Sequence, residues 1–224
     1  MIAPGFNHEP LPDIQYEKTE NEEQINKIKE DIRKNKILYY YINKETAHIC
    51  AFSEQEGKSY CISNILEFKE IFEDADILKC GYKQKTDYIL LKQLDINVKN
   101  LMFDIEIAGY ILNSNINKYT IEYLANEYLQ FEIDEYISDT VGVDVNTSSK
   151  ETQLNLFDNV GSDVTVSSED TSYIKDCIYT YAIKELHNVL TKKMQEIDSL
   201  NLFENIEMPL AEVLADMQYV RNVC

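Results

Sequence analysis

A chain of 224 residues with 44% hydrophobic side chains is long enough for one large domain with a substantial core, which excludes a peptide-like or fibrous molecule. Forty acidic against 21 basic residues give a formal net charge of −19, which repels nucleic acid and anionic lipid unless positive charge is gathered locally. The longest uninterrupted apolar run, residues 37–42, falls far short of the ~20 that span a bilayer, and residues 1–12 lack the basic and apolar segments of a secretory signal, so a cytoplasmic protein without a membrane helix is expected.

Residues 1–18 hold three of the four prolines and no periodicity, so they are expected to form a frayed or contact-ordered lead-in, with the fold starting after them. Thr19 and Glu22 have capping-box spacing, and Ile25, Ile28 and Ile32 recur on one helical face, which predicts a helix ending near Asn35. Residues 37–42 are continuously apolar and rich in tyrosine, as a central strand buried on both faces is; shorter strands follow at 47–52 and, after the Glu56-Gly57 turn, at 58–62. Ser63 or Asn64 caps a helix carrying Ile65, Leu66, Phe68, Ile71 and Phe72. Strand, helix, strand and helix then alternate over 77–82, 86–94, 98–103 and 105–112, the pattern of a sheet with crossover helices.

Thr120 opens a helix with Ile121, Leu124 and Tyr128 in register, and after Tyr136 the periodicity is lost. Residues 138–170, with seven acids against the single base Lys150, cannot bury enough surface to offset their ordering entropy and are expected to be a flexible acidic insertion. Helices return at 172–198, 200–206 and 209–220, the last with Pro209 in its first turn. Cys50, Cys61, Cys80, Cys177 and Cys224 are scattered without a CxxC pair, which points to reduced, mostly buried thiols and to neither a disulfide framework nor a zinc site.

Residues 77–114 contain Gly81, Lys85 and Asp87, then Phe103 and Asp104, then Tyr110, Leu112 and Asn113. This stretch resembles the second exonuclease motif region of the bacterial DNA polymerase I family. Further on, Asp176 and Thr180 lie in a segment similar to the third exonuclease motif, and Glu207-Met208-Pro209-Leu210 resembles the join between exonuclease and polymerase domains. The resemblance covers 36–224. It implies an α/β, ribonuclease H-like 3′–5′ exonuclease fold over 19–198, with a mixed central sheet and helices on both faces, and the start of a polymerase domain at 199–224, the chain being a truncated part of a longer enzyme. It also implies a DNA-directed DNA polymerase as the parent, with DNA bound and Mg²⁺ used by its polymerase domain, and a monomeric fragment that has no cofactor of its own.

In that family, proofreading relies on two metal ions held by four carboxylates. The first motif supplies two of them as "DTE" on the first strand. Here Tyr40 or Tyr41 stands in place of the aspartate and Asn43 is near the place of the glutamate, while Asp87 and Asp176 keep the second and third motifs. The tyrosine expected four residues before Asp176 is Ser172, with Tyr173 one step out of phase. The resemblance therefore implies an inactive exonuclease domain without a metal, a scaffold for the polymerase; the alternative is an active one with substitute ligands such as Glu45 or Glu106.

Each of these residues also has a plain role. Asp87 opens a helix and offsets its dipole, Asp104 is expected as an N-cap, and Asp176, inside a helical pattern, is expected as a solvated charge. Lys79, Lys83 and Lys85 form one modest basic cluster, flanked by Asp76 and Asp87 and read as a solvated face. His8, His48 and His187 are far apart and expected in ordinary surface or core positions, and the sixteen tyrosines in packing rather than base stacking. Within the acidic insertion, Gln153, Leu154, Leu156 and Phe157 of "QLNLF" resemble the peptide by which bacterial replication proteins hold the sliding clamp; the other reading folds these apolar side chains back onto the domain.

Overall fold

The computed structural model describes residues 12–141 and 168–223. Its first half runs β1 (Gln15–Lys18), α1 (Glu22–Asn35), β2 (Ile37–Asn43), β3 (His48–Ser53), β4 (Lys58–Ile62), a 3-10 turn (Ile65–Phe68) leading into α2 (Lys69–Glu73), β5 (Leu78–Gly81) and α3 (Gln84–Gln93). The second half holds β6 (Leu101–Asp104), α4 (Ile105–Leu112), α5 (Ile121–Leu129), α6 (Ile133–Val141), α7 (Ser168–Glu196), α8 (Leu200–Leu202), a π turn (Phe203–Glu207) and α9 (Met208–Val223). No helix among the described residues is long and apolar enough to cross a membrane.

The strands form one mixed sheet in the order β1-β4-β3-β2-β5-β6. β3 pairs antiparallel with both β2 and β4, while β1 on β4, β5 on β2 and β6 on β5 are parallel. Because successive side chains of a strand point to opposite faces, the central strand β2 feeds two cores. Leu38, Tyr40 and Ile42 join Ile25, Ile28 and Ile32 of α1, Phe72 of α2 and Leu91 of α3 on one face. Tyr39 and Tyr41 face the other core, built from α4, α5, α6 and the long helix α7. The expected α/β sheet with helices on both faces is present.

Several boundaries differ from the sequence reading. Gln15–Lys18, placed in the lead-in, is an edge strand, and Ile14 is buried with Tyr16 half-buried, the alternation of a strand four residues long. The α1 cap is Asn21, whose Oδ1 accepts from Glu23 and Gln24 N–H, while Thr19 Oγ1 accepts from Asn21 N–H one step earlier. Helix α6 continues to Val141 and α7 begins at Ser168, so the expected insertion at 138–170 is helical at both ends. Ile133, Tyr136 and Ile137 bury the i, i+3, i+4 face that holds α6 in place. Residues 200–223 form one continuous helical run rather than two helices: Phe203 of the π turn packs on Phe103 with ring centroids 4.8 Å apart, and Tyr88 Oη donates to Asp216 Oδ1 at 2.5 Å.

Gly81 ends β5 against the Tyr40 ring, where an added Cβ would stand 2.8 Å from two ring carbons. Gly81→Ala is therefore expected to lose roughly 1–3 kcal/mol through overpacking. Thermal melting checks this: a second change, Tyr40→Leu, should recover part of the loss, and two independent penalties would show that the ring is not the cause.

Candidate functional site

The β2–β3 hairpin places Asn43 directly opposite His48. Asn43 Oδ1 accepts from the N–H groups of Glu45 and Thr46 at 3.0 and 3.2 Å, which locks the amide and points its Nδ2 away from the turn. That nitrogen donates to Asp176 Oδ2 of α7 at 2.7 Å, and His48 Nε2 lies 2.7 Å from the same oxygen. The other ring nitrogen, Nδ1, is 2.7 Å from Thr46 Oγ1. Burial by itself would strip the His48 proton, but the bonds to Asp176 and Cys61 prevail and raise its pKa to about 9. Both partners favour the imidazolium form of His48 at neutral pH.

Asp87, in the first turn of α3, is 2% exposed. Lys44, the residue after β2, brings Nζ to 3.1 Å from its Oδ1. Burial outweighs the pull of Lys44 and raises the Asp87 pKa to about 7. Tyr41 shares the sheet face of Asn43, and its ring packs edge-on to Tyr179 at 5.1 Å. Its phenol is held protonated by burial first and then by the charges of Asp176 and Asp87, so it lies within the field of both carboxylates. Tyr40, on the opposite face, is fully buried and held protonated by burial and then by Asp87 and Asp104. Asp104 caps two helices at once: it accepts from Glu106 N–H of α4 at 2.9 Å and from Lys83 and Gln84 N–H of α3 at 3.2 and 2.7 Å.

Three sequence expectations are corrected here, for Asp176, Lys79 and His48, and the one for Asp87 is extended. Asp176 is no solvated charge: it is 5% exposed and tied to two strands. Asp87 has an ion-pair partner, Lys44, in addition to its place at a helix start. Lys79 leaves the basic cluster because it is 0% exposed and donates to the carbonyls of Asp74 and Ile77, burial lowering its pKa to about 8; Lys83 and Lys85 remain exposed. His48 is no bystander. The substitute ligands do not join the group either, since Glu45 is exposed and Glu106 is drawn toward Lys83 at 3.9 Å. Gln153, Leu154, Leu156 and Phe157 lie outside the described residues.

Sequence spacing also missed a thiol cluster. The register sets Cys50 of β3 opposite Cys61 of β4, with His48 two residues before Cys50 on the same face, so that one donor atom from each of the three lies within 4.8 Å of the others. Cys177 of α7 closes over them with its Sγ 3.7 Å from that of Cys50. Only strand register could have revealed this.

Residues 24–137 match the family model of the DNA polymerase I ribonuclease H-like domain, slightly more than half of the chain. The chain belongs to this family. DNA polymerase I of Borreliella burgdorferi is 29% identical over 168 residues, covering 74% of this chain but only 16% of the relative's length. In fold the chain is similar to Pol1 from M. smegmatis, solved as its POL domain with DNA primer-template and dNTP (TM-score 0.62, 14% identity, 90% of this chain and 31% of that one). It is also similar to the exoribonuclease RNase D of Escherichia coli (TM-score 0.61, 12% identity, 90% and 51%). These likenesses establish the ribonuclease H-like 3′–5′ exonuclease fold of the DNA polymerase I domain. A pair of hard divalent ions needs several free carboxylate oxygens in one place. The donor set here does not fit: strand β2 offers the Tyr41 phenol and the Asn43 amide, and Asp87 and Asp176 are committed to Lys44, Asn43 and His48.

With a chelator present, NMR titration should find His48 losing its proton near pH 9 in the unaltered chain and lower in Asp176→Asn, where Cys61 alone still opposes the effect of burial. The sign follows from linkage: a raised folded-state pKa contributes stability fully present below about 6.5 and lost as pH climbs through about 9, so the stability gap between the two proteins should narrow over that window. A His48 that titrates near 6.5 in both would refute the buried ion pair.

Proposed function

We propose that this domain is a non-catalytic 3′–5′ exonuclease-like scaffold within a bacterial DNA polymerase I, retained for support of the polymerase domain and for protein contacts. The reading rests on one observation: the two surviving motif carboxylates, Asp87 and Asp176, are each neutralised by side chains of this chain, Lys44 for the first and Asn43 with protonated His48 for the second. A cationic ammonium, an amide N–H and an imidazolium occupy the coordination space that divalent ions need, and each repels such an ion or competes with it. Tyr41 and Asn43, which share one face of β2, take the places of the aspartate and glutamate of the first motif. The parent protein acts as a DNA-directed DNA polymerase in replication and repair in the bacterial cytoplasm, and it is the polymerase domain that uses Mg²⁺ and holds DNA.

The chain incubated with labelled single-stranded DNA and Mg²⁺ or Mn²⁺ is expected to release no terminal nucleotides, and calorimetry is expected to find no Mn²⁺ site built on Asp87 and Asp176. Tyr41→Asp with Asn43→Glu should strengthen Mn²⁺ binding at least ~10-fold by returning two oxygen ligands. Metal-dependent degradation by the unaltered chain, abolished in Asp87→Asn and Asp176→Asn, would overturn the proposal.

The clamp contact is a second part of the same proposal, supported by the "QLNLF" sequence alone. A glutamine amide gives direction, and burial of Leu156 and Phe157 in an apolar cleft contributes roughly 1.5–3 kcal/mol each before ordering costs. Replacing both with alanine should abolish binding to a bacterial sliding clamp and leave the melting temperature of the chain almost unchanged. A melting point several degrees lower would mean instead that they pack on this domain.

A further inference from the structure

We propose that His48, Cys50, Cys61 and Cys177 form a buried site for one soft divalent cation of the zinc class. Three thiols and an imidazole, from β3, β4 and α7, converge on one point inside the protein, and all three thiols are fully buried. The geometry is close to what such an ion requires. Tetrahedral coordination with metal–sulfur bonds of ~2.3 Å sets neighbouring sulfurs ~3.8 Å apart, and the Cys50 and Cys177 sulfurs are 3.7 Å apart. His48, Cys50 and Cys61 already hold their donor atoms within 4.8 Å of one another, so inward movements of about an ångström on a typical zinc shell bring these three to one ion, and Cys177, in contact with Cys50, is placed to supply the fourth ligand.

The donor chemistry separates this group from the carboxylate positions beside it. Sulfur and imidazole select soft or borderline ions, whereas carboxylates select hard ones. The second shell is present as well: the two imidazole nitrogens meet Thr46 Oγ1 and Asp176 Oδ2, both at 2.7 Å, so whichever nitrogen turns to the metal, the other keeps a hydrogen-bond partner that fixes the ring. A disulfide would account for less of the arrangement, since closing Cys50 on either neighbour leaves the third thiol and the imidazole without a role. The metal would bind as the three thiols, becoming thiolates, and the His48 imidazolium, becoming a neutral imidazole, give up their protons to solvent, with no change in oxidation state; the bound cation then takes over the charge that His48 carried beside Asp176.

Because the cluster is buried, the test uses the whole chain both as purified and after unfolding and refolding with the ion, each under a phosphine reductant. The probe is Co²⁺, followed by displacement with Zn²⁺. The expected result, in at least one arm, is one Co²⁺ per chain, with sulfur-to-cobalt charge-transfer bands and the intense visible bands of tetrahedral coordination, lost on stoichiometric Zn²⁺. Cys50→Ser and, on the helix, Cys177→Ala should remove or weaken these bands while circular dichroism confirms folding. Cys80→Ala and Cys224→Ser should keep them. The proposal is overturned if neither arm shows a tetrahedral spectrum, if the bands survive Cys50→Ser and Cys177→Ala in folded protein, if Cys80→Ala or Cys224→Ser abolishes them in folded protein, or if mass spectrometry of the purified chain, before reductant is added, finds Cys50 held in a disulfide.

Discussion

The arrangement around the β2–β3 hairpin depends on one buried carboxylate, Asp176, and on who neutralises it. Left alone at 5% exposure, that charge would cost several kcal/mol, so α7 could not rest where it does. Asn43 and His48 meet it from opposite strands of one hairpin, and this fixes the longest described helix to the middle of the sheet. The position of α7 then determines much else: it lays Cys177 over Cys50, sets Tyr179 against Tyr41 and brings His187 to within 3.0 Å of the Tyr39 hydroxyl. A chain that keeps such a carboxylate must either bring a cation to it or build one in, and here the cation is built in.

A parallel logic holds for Asp87 at the same end of β2. Asp87 is more deeply buried than Asp176, and its partner Lys44 is the residue that follows the strand. Both compensating groups therefore come from one short segment, residues 43–48, and the two acids from helices on different sides of the chain's central strand. Tyr40 and Tyr41 fill the space between on opposite faces, each phenol kept neutral by burial and by the acids it approaches. Aromatic bulk in the sheet and positive charge at its end go together, because filling the space with apolar rings removes the water that would otherwise have solvated the carboxylates.

Much of the fold is legible in the sequence where one period dominates. The isoleucines of α1, the continuous apolar run of β2 and the helix at residues 105–112 are where the patterns place them. The failures have physical causes. An edge strand four residues long such as β1 carries too few alternations to stand out from a proline-rich lead-in, and in α6 only Ile133, Tyr136 and Ile137 mark a face among acids. The sequence does not reveal that Asp176 is buried, because residues 176–180 are buried on every side of that turn of α7 and leave no polar stripe there to show which positions face solvent. Its partners lie 128 and 133 residues away, and the thiols meet only through the pairing of β3 with β4. The surviving Asp87 and Asp176 were visible in the motifs; their neutralising groups were not, because no periodicity encodes a contact made by tertiary packing.

Helix α7 packs against β1, β2, β3, β4 and β5, although it begins at Ser168, after all six strands have been made. During synthesis the sheet thus leaves the ribosome with one face covered by α1, α2 and α3 and the other still bare at its centre. At ~5–20 residues per second that face waits several seconds for its cover. The apolar side chains exposed meanwhile include Tyr39, Cys50 and Phe52, and their cover arrives with one helix, whose carboxylate meets an amide and an imidazole already placed by the hairpin.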